Sequence, residues 1–162
     1  MKKLIVSFAL MVITLASYAQ VYKMYNTRNY HNQLRLNTMT GEVQQIQDDG
    51  QSWIVCSARE ISGDKESRFR LYETQNMWTF ILLDSYNGRL WQVQYSAQDL
   101  DNLFCIPINK YELVSDNENC IFSIQPLTSM YQYYLINDRT GDMWKFQWST
   151  KGDDYRWIEK FK

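Results

Sequence analysis

Apolar and polar residues alternate along much of the chain, and the period of the alternation is two. In one stretch Trp91, Val93 and Tyr95 alternate with Gln92 and Gln94. That period is typical of a β-strand with one buried face. The segments of this kind around it are approximately 69–74, 77–84, 89–96 and 103–108. Short strands separated by turns predict an antiparallel meander, and no window holds a sustained helical period.

The same meander occurs three times along the chain. When Gly41, Gly88 and Gly141 are superimposed, about 26 residues align without a gap. The aligned segments are YKMYNTRNYHNQLRLNTMTGEVQQIQ from Tyr22, FRLYETQNMWTFILLDSYNGRLWQVQ from Phe69 and FSIQPLTSMYQYYLINDRTGDMWKFQ from Phe122. With their tails, the repeats cover about 22–58, 69–108 and 122–161. We therefore expect one all-β domain over 20–162, built from three tandem four-stranded antiparallel repeats.

Each repeat has a turn at its glycine, within LNTMTGEVQ, LDSYNGRLW and INDRTGDMW. The glycine is expected to supply the positive φ that closes a hairpin. The Asn37, Asp84 or Asn137 side chain that begins the turn can accept a hydrogen bond from the backbone two residues on. Trp91 and Trp144 follow the turn and are expected in the core, because a buried indole removes a large apolar area from water.

This turn pattern, Asp/Asn-x-x-Thr-Gly-x-x-Trp, resembles the hairpin of quinoprotein-type β-propeller blades. The first repeat departs from it, with Gln44 at the Trp position. The resemblance implies a small propeller-like assembly, in which each repeat is one blade. Threefold repetition is also typical of the β-trefoil, which is the alternative fold. The quinoprotein cofactor does not carry over, because none of its binding residues can be matched here.

The N-terminus has the pattern of a signal peptide. Lys2 and Lys3 precede an apolar run over 4–16, and Ala19 ends a small-x-small cleavage site. We expect residues 1–19 to be removed and the protein to be secreted or periplasmic in a bacterium. The apolar run is shorter than the roughly 20 residues that span a bilayer, so no membrane span is expected after cleavage.

Charge and cysteine content narrow the function classes. The chain has 17 Lys and Arg against 18 Asp and Glu, so we expect no basic face and no nucleic-acid partner.

The cysteine content is a separate clue, because export would allow a disulfide. The three cysteines are Cys56, Cys105 and Cys120, an odd number that leaves at least one thiol unpaired. Buried free thiols are one outcome, and a disulfide is the other, for which Cys105 and Cys120 are the nearest pair in sequence.

Candidate chemistry is sparse. His31 is the sole histidine and aligns with Trp78 and Tyr131, so a packed or half-exposed ring is expected there. Acidic residues follow the same strand in each repeat, at Asp48-Asp49, Asp99 with Asp101, and Asp153-Asp154. Their oxygens could hold Ca²⁺, and paired carboxylates could hydrolyse glycosides. Tight turns use the same residues without any ligand.

Aromatic side chains are the second candidate feature. Tyr131 and Tyr133 share one strand face while Tyr134 points to the other, so some rings should reach the surface. Aromatic surfaces with nearby amides suit both sugars and protein partners. The candidate binding residues are Tyr131, Tyr133, Trp148, Asp99, Asp101, Asp153 and Asp154.

The sequence favours a non-catalytic binding module that recognises a glycan or a protein surface, because repeats distribute similar polar groups evenly and do not build one unique site. The alternatives are an inhibitor or immunity-type protein, and a small secreted hydrolase that uses two turn carboxylates.

Overall fold

The computed structural model describes residues 20–116 and 121–161, and the predicted signal peptide lies outside them. The described chain is all-β and forms three four-stranded antiparallel sheets, which we call blades 1 to 3. Blade 1 contains β1 Tyr22–Asn26, β2 Asn32–Asn37, β3 Val43–Gln47 and β4 Ser52–Cys56. Blade 2 contains β5 Phe69–Glu73, β6 Thr79–Asp84, β7 Leu90–Gln94 and β8 Phe104–Pro107. Blade 3 contains β9 Phe122–Pro126, β10 Gln132–Asn137, β11 Met143–Gln147 and β12 Trp157–Lys160.

Among the described residues, helix is confined to the connections. The short α1 spans Ala58–Ile61 between blades 1 and 2, and 3-10 turns span Leu100–Asn102 and Asp153–Tyr155 ahead of β8 and β12. Within the part of the chain that the structure describes, no helix is long and apolar enough to cross a membrane.

The strands of each blade pair in chain order, as a meander. The threefold repeat and the propeller-like arrangement of four-stranded sheets are therefore confirmed. The trefoil alternative is wrong, because the described strands form three separate sheets and no closed barrel.

The blades pack face to face, with blade 2 between the other two. Each blade has a front face, which looks toward the next blade, and a back face, which looks toward the preceding one. On the blade 1 front face, Leu34, Leu36 and Val43 pack against the blade 2 back face. Blade 2 in turn packs its front face on blade 3 through a second core cluster, which includes Ile81 and Leu83.

Blade 2 is consequently buried on both sides. All residues of β6 are buried, and Trp91 and Val93 of β7 lie in the cluster shared with blade 1. Trp144 occupies the same position on the blade 3 back face, in the cluster shared with blade 2. The prediction that Trp91 and Trp144 are core residues is confirmed, at 4% and 6% exposure.

The turn at each glycine forms as the sequence predicts. Gly41, Gly88 and Gly141 have φ values of 79°, 77° and 76°. The Asn37 Oδ1 atom accepts hydrogen bonds from the Met39 and Thr40 amides at 3.0 and 3.1 Å. Equivalent bonds reach Asp84 and Asn137. The recurring motif is therefore the corner between the second and third strands of each blade.

The disulfide differs from the expected one. Cys56 at the end of β4 is bonded to Cys105 in β8, with their Cα atoms 5.1 Å apart and a sequence separation of 49. The Cys105–Cys120 pairing is wrong, because the fourth strands of blades 1 and 2 bring Cys105 against Cys56. Cys120 lies outside the described residues.

Candidate functional site: a cleft repeated in the three blades

A wide surface depression lies beside blade 2, and we call it the blade 2 cleft. Its volume is about 550 Å³. Its lining residues are Asn29, Trp78, Gln94, Tyr95, Ser96, Ala97, Gln98, Asp99 and Asn102. Most of them lie where β6 begins and where β7 ends, and Asn29 comes from the β1–β2 turn of blade 1. The cleft therefore lies at the junction of blades 1 and 2.

Two aromatic rings in tilted contact form the apolar part of this cleft. Trp78 is half-buried and packs on Tyr95, with ring centroids 5.3 Å apart. Tyr95 is 1% exposed and its hydroxyl donates to the Met77 carbonyl oxygen at 2.6 Å. Burial raises the pKa of the Tyr95 phenol above its ordinary value, so the ring is a neutral support that fixes the Trp78 indole.

Amide and carboxylate groups form the polar part. Asp99 is exposed and caps the 3-10 turn, accepting hydrogen bonds from the Asp101 amide at 3.0 Å and the Asn102 side-chain amide at 2.8 Å. Gln94 lies between this turn and the aromatic pair, and its Nε2 atom donates to the Asn102 carbonyl at 3.4 Å. The cleft thus offers planar amides and one carboxylate beside an indole.

Blade 3 carries the same cleft at the equivalent positions. Its volume is about 190 Å³, and Tyr131, Gln147 and Trp148 stand where blade 2 has Trp78, Gln94 and Tyr95. The Tyr131 and Trp148 rings lie 4.9 Å apart. Tyr155, which is 52% exposed, completes the lining.

Blade 1 has the third copy, with different chemistry. Its depression of about 150 Å³ is lined in part by His31, Gln47 and Asp48, the counterparts of the blade 2 residues. His31 Nδ1 lies 2.6 Å from Asp48 Oδ2, so a hydrogen-bonded His–Asp pair replaces the two packed rings. The hydrogen bond from His31 lowers the pKa of the exposed Asp48 carboxyl.

The predicted aromatic contacts divide between cleft and core. Tyr131 is half-buried and lines the blade 3 cleft. Trp148 is 0% exposed and lies behind it, with its Nε1 atom donating to the Met130 carbonyl at 3.0 Å. Tyr133 is 3% exposed and stacks on Phe146. The expectation that Tyr133 and Trp148 face a partner is wrong, because blade 2 covers that face of blade 3.

The predicted acidic contacts do not form one site. Asp99 lines the blade 2 cleft, whereas Asp101 is exposed outside its lining. Asp153 and Asp154 line a separate depression between β8 and the last 3-10 turn, and Asp153 forms an ion pair with Arg156. Across 20–116 and 121–161, no group of three or more His, Cys, Asp or Glu side chains is placed to hold a metal ion.

Sequence reasoning missed the residues that build the blade 2 cleft. Trp78, Gln94, Asn29 and Asn102 were not among the candidates, although Trp78 and Gln94 align with Tyr131 and Gln147. The available signal was an aromatic residue just before the second strand that recurs together with a glutamine at the end of the third strand.

The chain was compared with protein-family models, with curated proteins and with solved structures, and no match was found.

Proposed function

We propose that this protein is an exported, non-catalytic module that binds carbohydrate in the blade 2 cleft. The observation that carries the proposal is the recurrence of one arrangement, a supported aromatic ring beside a glutamine, in the clefts of blades 2 and 3. Repetition of a binding geometry suits a repetitive ligand such as a glycan, because each copy adds to the overall affinity.

The chemistry of the cleft favours a sugar. A sugar presents an apolar C–H face together with hydroxyls that both donate and accept hydrogen bonds. The Trp78 indole offers an apolar surface, and the Gln94 and Asn102 amides offer donors and acceptors. The Tyr95 ring behind Trp78 holds the indole in place, which reduces the conformational entropy lost on binding.

The same geometry argues against the hydrolase alternative. Glycoside hydrolysis uses two carboxyl groups that flank the scissile bond. Asp99 is the carboxylate among the lining residues of the blade 2 cleft, and its oxygens accept hydrogen bonds from its own turn. This arrangement suits ligand contact and turn capping.

The test is a glycan array followed by calorimetry with the best oligosaccharide. Gln94→Ala should weaken binding about ten-fold, because losing a buried hydrogen-bonding partner costs about 1–3 kcal/mol. Trp78→Ala should abolish detectable binding. Trp53→Ala removes a half-buried indole in β4, outside the lining of the cleft, and should leave affinity unchanged. An array with no hit, or equal loss in the Trp78 and Trp53 variants, would contradict the proposal.

A further inference from the structure

Within residues 20–116 and 121–161, the stack of blades leaves two faces without a partner blade. Each internal interface joins the front face of one blade to the back face of the next. The blade 3 front face and the blade 1 back face are the two ends of this series. They are therefore the two halves of one more interface of the same kind.

The blade 3 front face keeps the apolar character of an interface. Leu34 and Leu36 of blade 1, and their counterparts in blade 2, are 0% exposed. The equivalent residues Tyr134 and Ile136 of blade 3 are also apolar, yet they are partly exposed. Phe161 packs on Tyr134 at 5.4 Å between ring centroids and is 48% exposed. Apolar side chains are thus retained where the chain supplies no covering blade.

At each internal interface, the side chain of a glutamine in one blade is hydrogen-bonded to the backbone of a serine in the next blade. Gln45 of blade 1 donates to the Ser96 carbonyl of blade 2 at 2.6 Å and accepts from the Ser96 amide at 3.1 Å. Gln92 of blade 2 accepts from the Ser149 amide of blade 3 at 3.2 Å. The hydrogen bonds at the two interfaces join the same pair of repeat positions.

At the two open ends, this pair of positions carries opposite charges. Lys145 stands on the blade 3 front face at the position of Gln45 and Gln92. Asp49 stands in blade 1 at the position of Ser96 and Ser149. In the internal interfaces the glutamine side chain bonds the serine backbone; at the open ends the two positions carry Lys and Asp, whose opposite charges a head-to-tail contact between two chains would bring together.

A backbone hydrogen bond and an aromatic contact also recur at equivalent positions of the two internal interfaces. The Phe69 amide donates to the Thr38 carbonyl at 2.9 Å, and the Phe122 amide donates to the Ser85 carbonyl at 2.8 Å. These aromatic residues lie over the turn glycines, because a Cβ at Gly41 or Gly88 would lie 3.0 or 3.2 Å from their rings.

At the turn of blade 3, the space beside Gly141 that would hold an equivalent aromatic ring is open. A Cβ at Gly141 would meet nothing within 4 Å. Tyr22 is the blade 1 counterpart of Phe69 and Phe122, and it is 52% exposed. A second copy docked in the same way would place its Tyr22 over Gly141.

The blade 1 back face is the more polar half. Arg35 and Gln44 are hydrogen-bonded to each other and replace the Leu and Trp of the other blades. Met24 and Ile54 flank them and are 51% and 58% exposed. Interfaces between separately folded chains are more polar than a domain core, so this mixture suits contact with a second chain.

We propose that two copies of this chain associate head to tail, each placing its blade 3 front face on the blade 1 back face of the other. The two identical interfaces close a ring of six blades with twofold symmetry, a blade number typical of propellers. Lys145 of each copy pairs with Asp49 of the other.

The test is the mass in solution, measured by light scattering on protein exported from the full-length gene. Wild type should have twice the chain mass. Lys145→Glu and Asp49→Lys should each give monomer, because each variant places like charges opposite one another. The combined variant should restore the dimer. Arg59→Glu changes an exposed charge outside both faces and should remain dimeric.

Several outcomes would overturn the proposal. A monomeric wild type contradicts it directly. A dimer that survives Lys145→Glu, or a combined variant that stays monomeric, excludes the Lys145–Asp49 contact. Circular dichroism on each variant separates loss of association from loss of fold, and Met143→Asp on the blade 3 front face provides a second disrupting variant that does not alter the charge pair.

Discussion

Arg68 and Asp84 form a buried ion pair at the corner of blade 2. Arg68 Nη2 lies 2.7 Å from Asp84 Oδ2, and the two side chains are 5% and 2% exposed. Burial raises the pKa of the Asp84 carboxyl above its ordinary value, although the Arg68 guanidinium opposes that effect. The other Asp84 oxygen accepts from the Tyr86 amide at 3.0 Å. One side chain therefore closes the turn and neutralises a buried cation.

Asp84→Asn should separate these two roles. Asparagine closes the equivalent turns of blades 1 and 3, so the turn should persist while Arg68 loses a charged partner. Breaking a buried ion pair costs about 3 kcal/mol, and Asp116, 2.8 Å from Arg68, compensates in part. The free energy of unfolding, measured in urea, should fall by about 2–3 kcal/mol.

Glu73→Gln is the matched control for that substitution. Glu73 pairs with Arg28 at 3.1 Å, but both side chains are about half exposed. Exposed ion pairs contribute about 0–1 kcal/mol, so Glu73→Gln should change stability little. Equal losses in the two variants would show that burial of the Arg68–Asp84 pair has no energetic consequence.

Reducing the Cys56–Cys105 disulfide should destabilise the junction of blades 1 and 2. The bond closes a loop of 49 residues, and the chain-entropy relation assigns such a loop about 4 kcal/mol. Urea unfolding with and without reductant measures the difference. Cys120→Ser leaves this bond in place and should show the same sensitivity to reductant as wild type. A wild type that is equally stable in both conditions would contradict the assignment.

The sequence predicted the repeat, the strands and the turns, because these depend on local periodicity and on the backbone conformations that glycine and asparagine favour. The sequence could not predict which faces of the three sheets are covered by a neighbouring blade. Alternation places Tyr133 and Tyr134 on opposite faces of β10, but burial of Tyr133 depends on blade 2, which lies elsewhere in the chain. The Cys105–Cys120 pairing was wrong for a related reason, because Cys56 and Cys105 are brought together by the packing of blade 1 on blade 2.

For the candidate site, too, the sequence indicated individual residues but not the packing of the blades. Asp99 and Tyr131, which line the depressions of blades 2 and 3, were candidates because acidic and aromatic side chains are conspicuous in sequence. The blade 2 cleft was not predicted, because it combines residues from the start of β6 and the end of β7 with Asn29 from the preceding blade. Such a combination becomes visible only when the blades are packed.

Substitution of the turn glycines should reveal the packing of the blades. Gly141→Ala should cost about 1 kcal/mol, the penalty for a Cβ in the left-handed region. Gly41→Ala should cost more, because the new Cβ would lie 2.5 Å from Ile61 Cγ2 and 3.0 Å from the Phe69 ring. Thermal unfolding of the two variants measures this, with Gly141→Ala as the matched control. Equal losses would contradict the close approach of blade 2 to Gly41.

The His31–Asp48 pair should give blade 1 a pH-dependent contribution to stability. The hydrogen bond from His31 lowers the pKa of Asp48 below its ordinary value of 3.8. A carboxyl whose pKa is lowered by folding stabilises the folded state above the unfolded pKa, and that contribution disappears as pH falls through the folded pKa. Wild type should therefore exceed Asp48→Asn in stability near neutral pH, and the two should converge in acid.

An NMR titration of the Asp48 carboxyl tests the cause of this effect directly. In wild type the midpoint should lie below 3.8, and in His31→Gln it should return toward 3.8 because the ionised partner is gone. Raising the salt concentration should reduce the shift, since both side chains are more than half exposed. A midpoint that His31→Gln leaves unchanged would show that His31 does not set the Asp48 pKa.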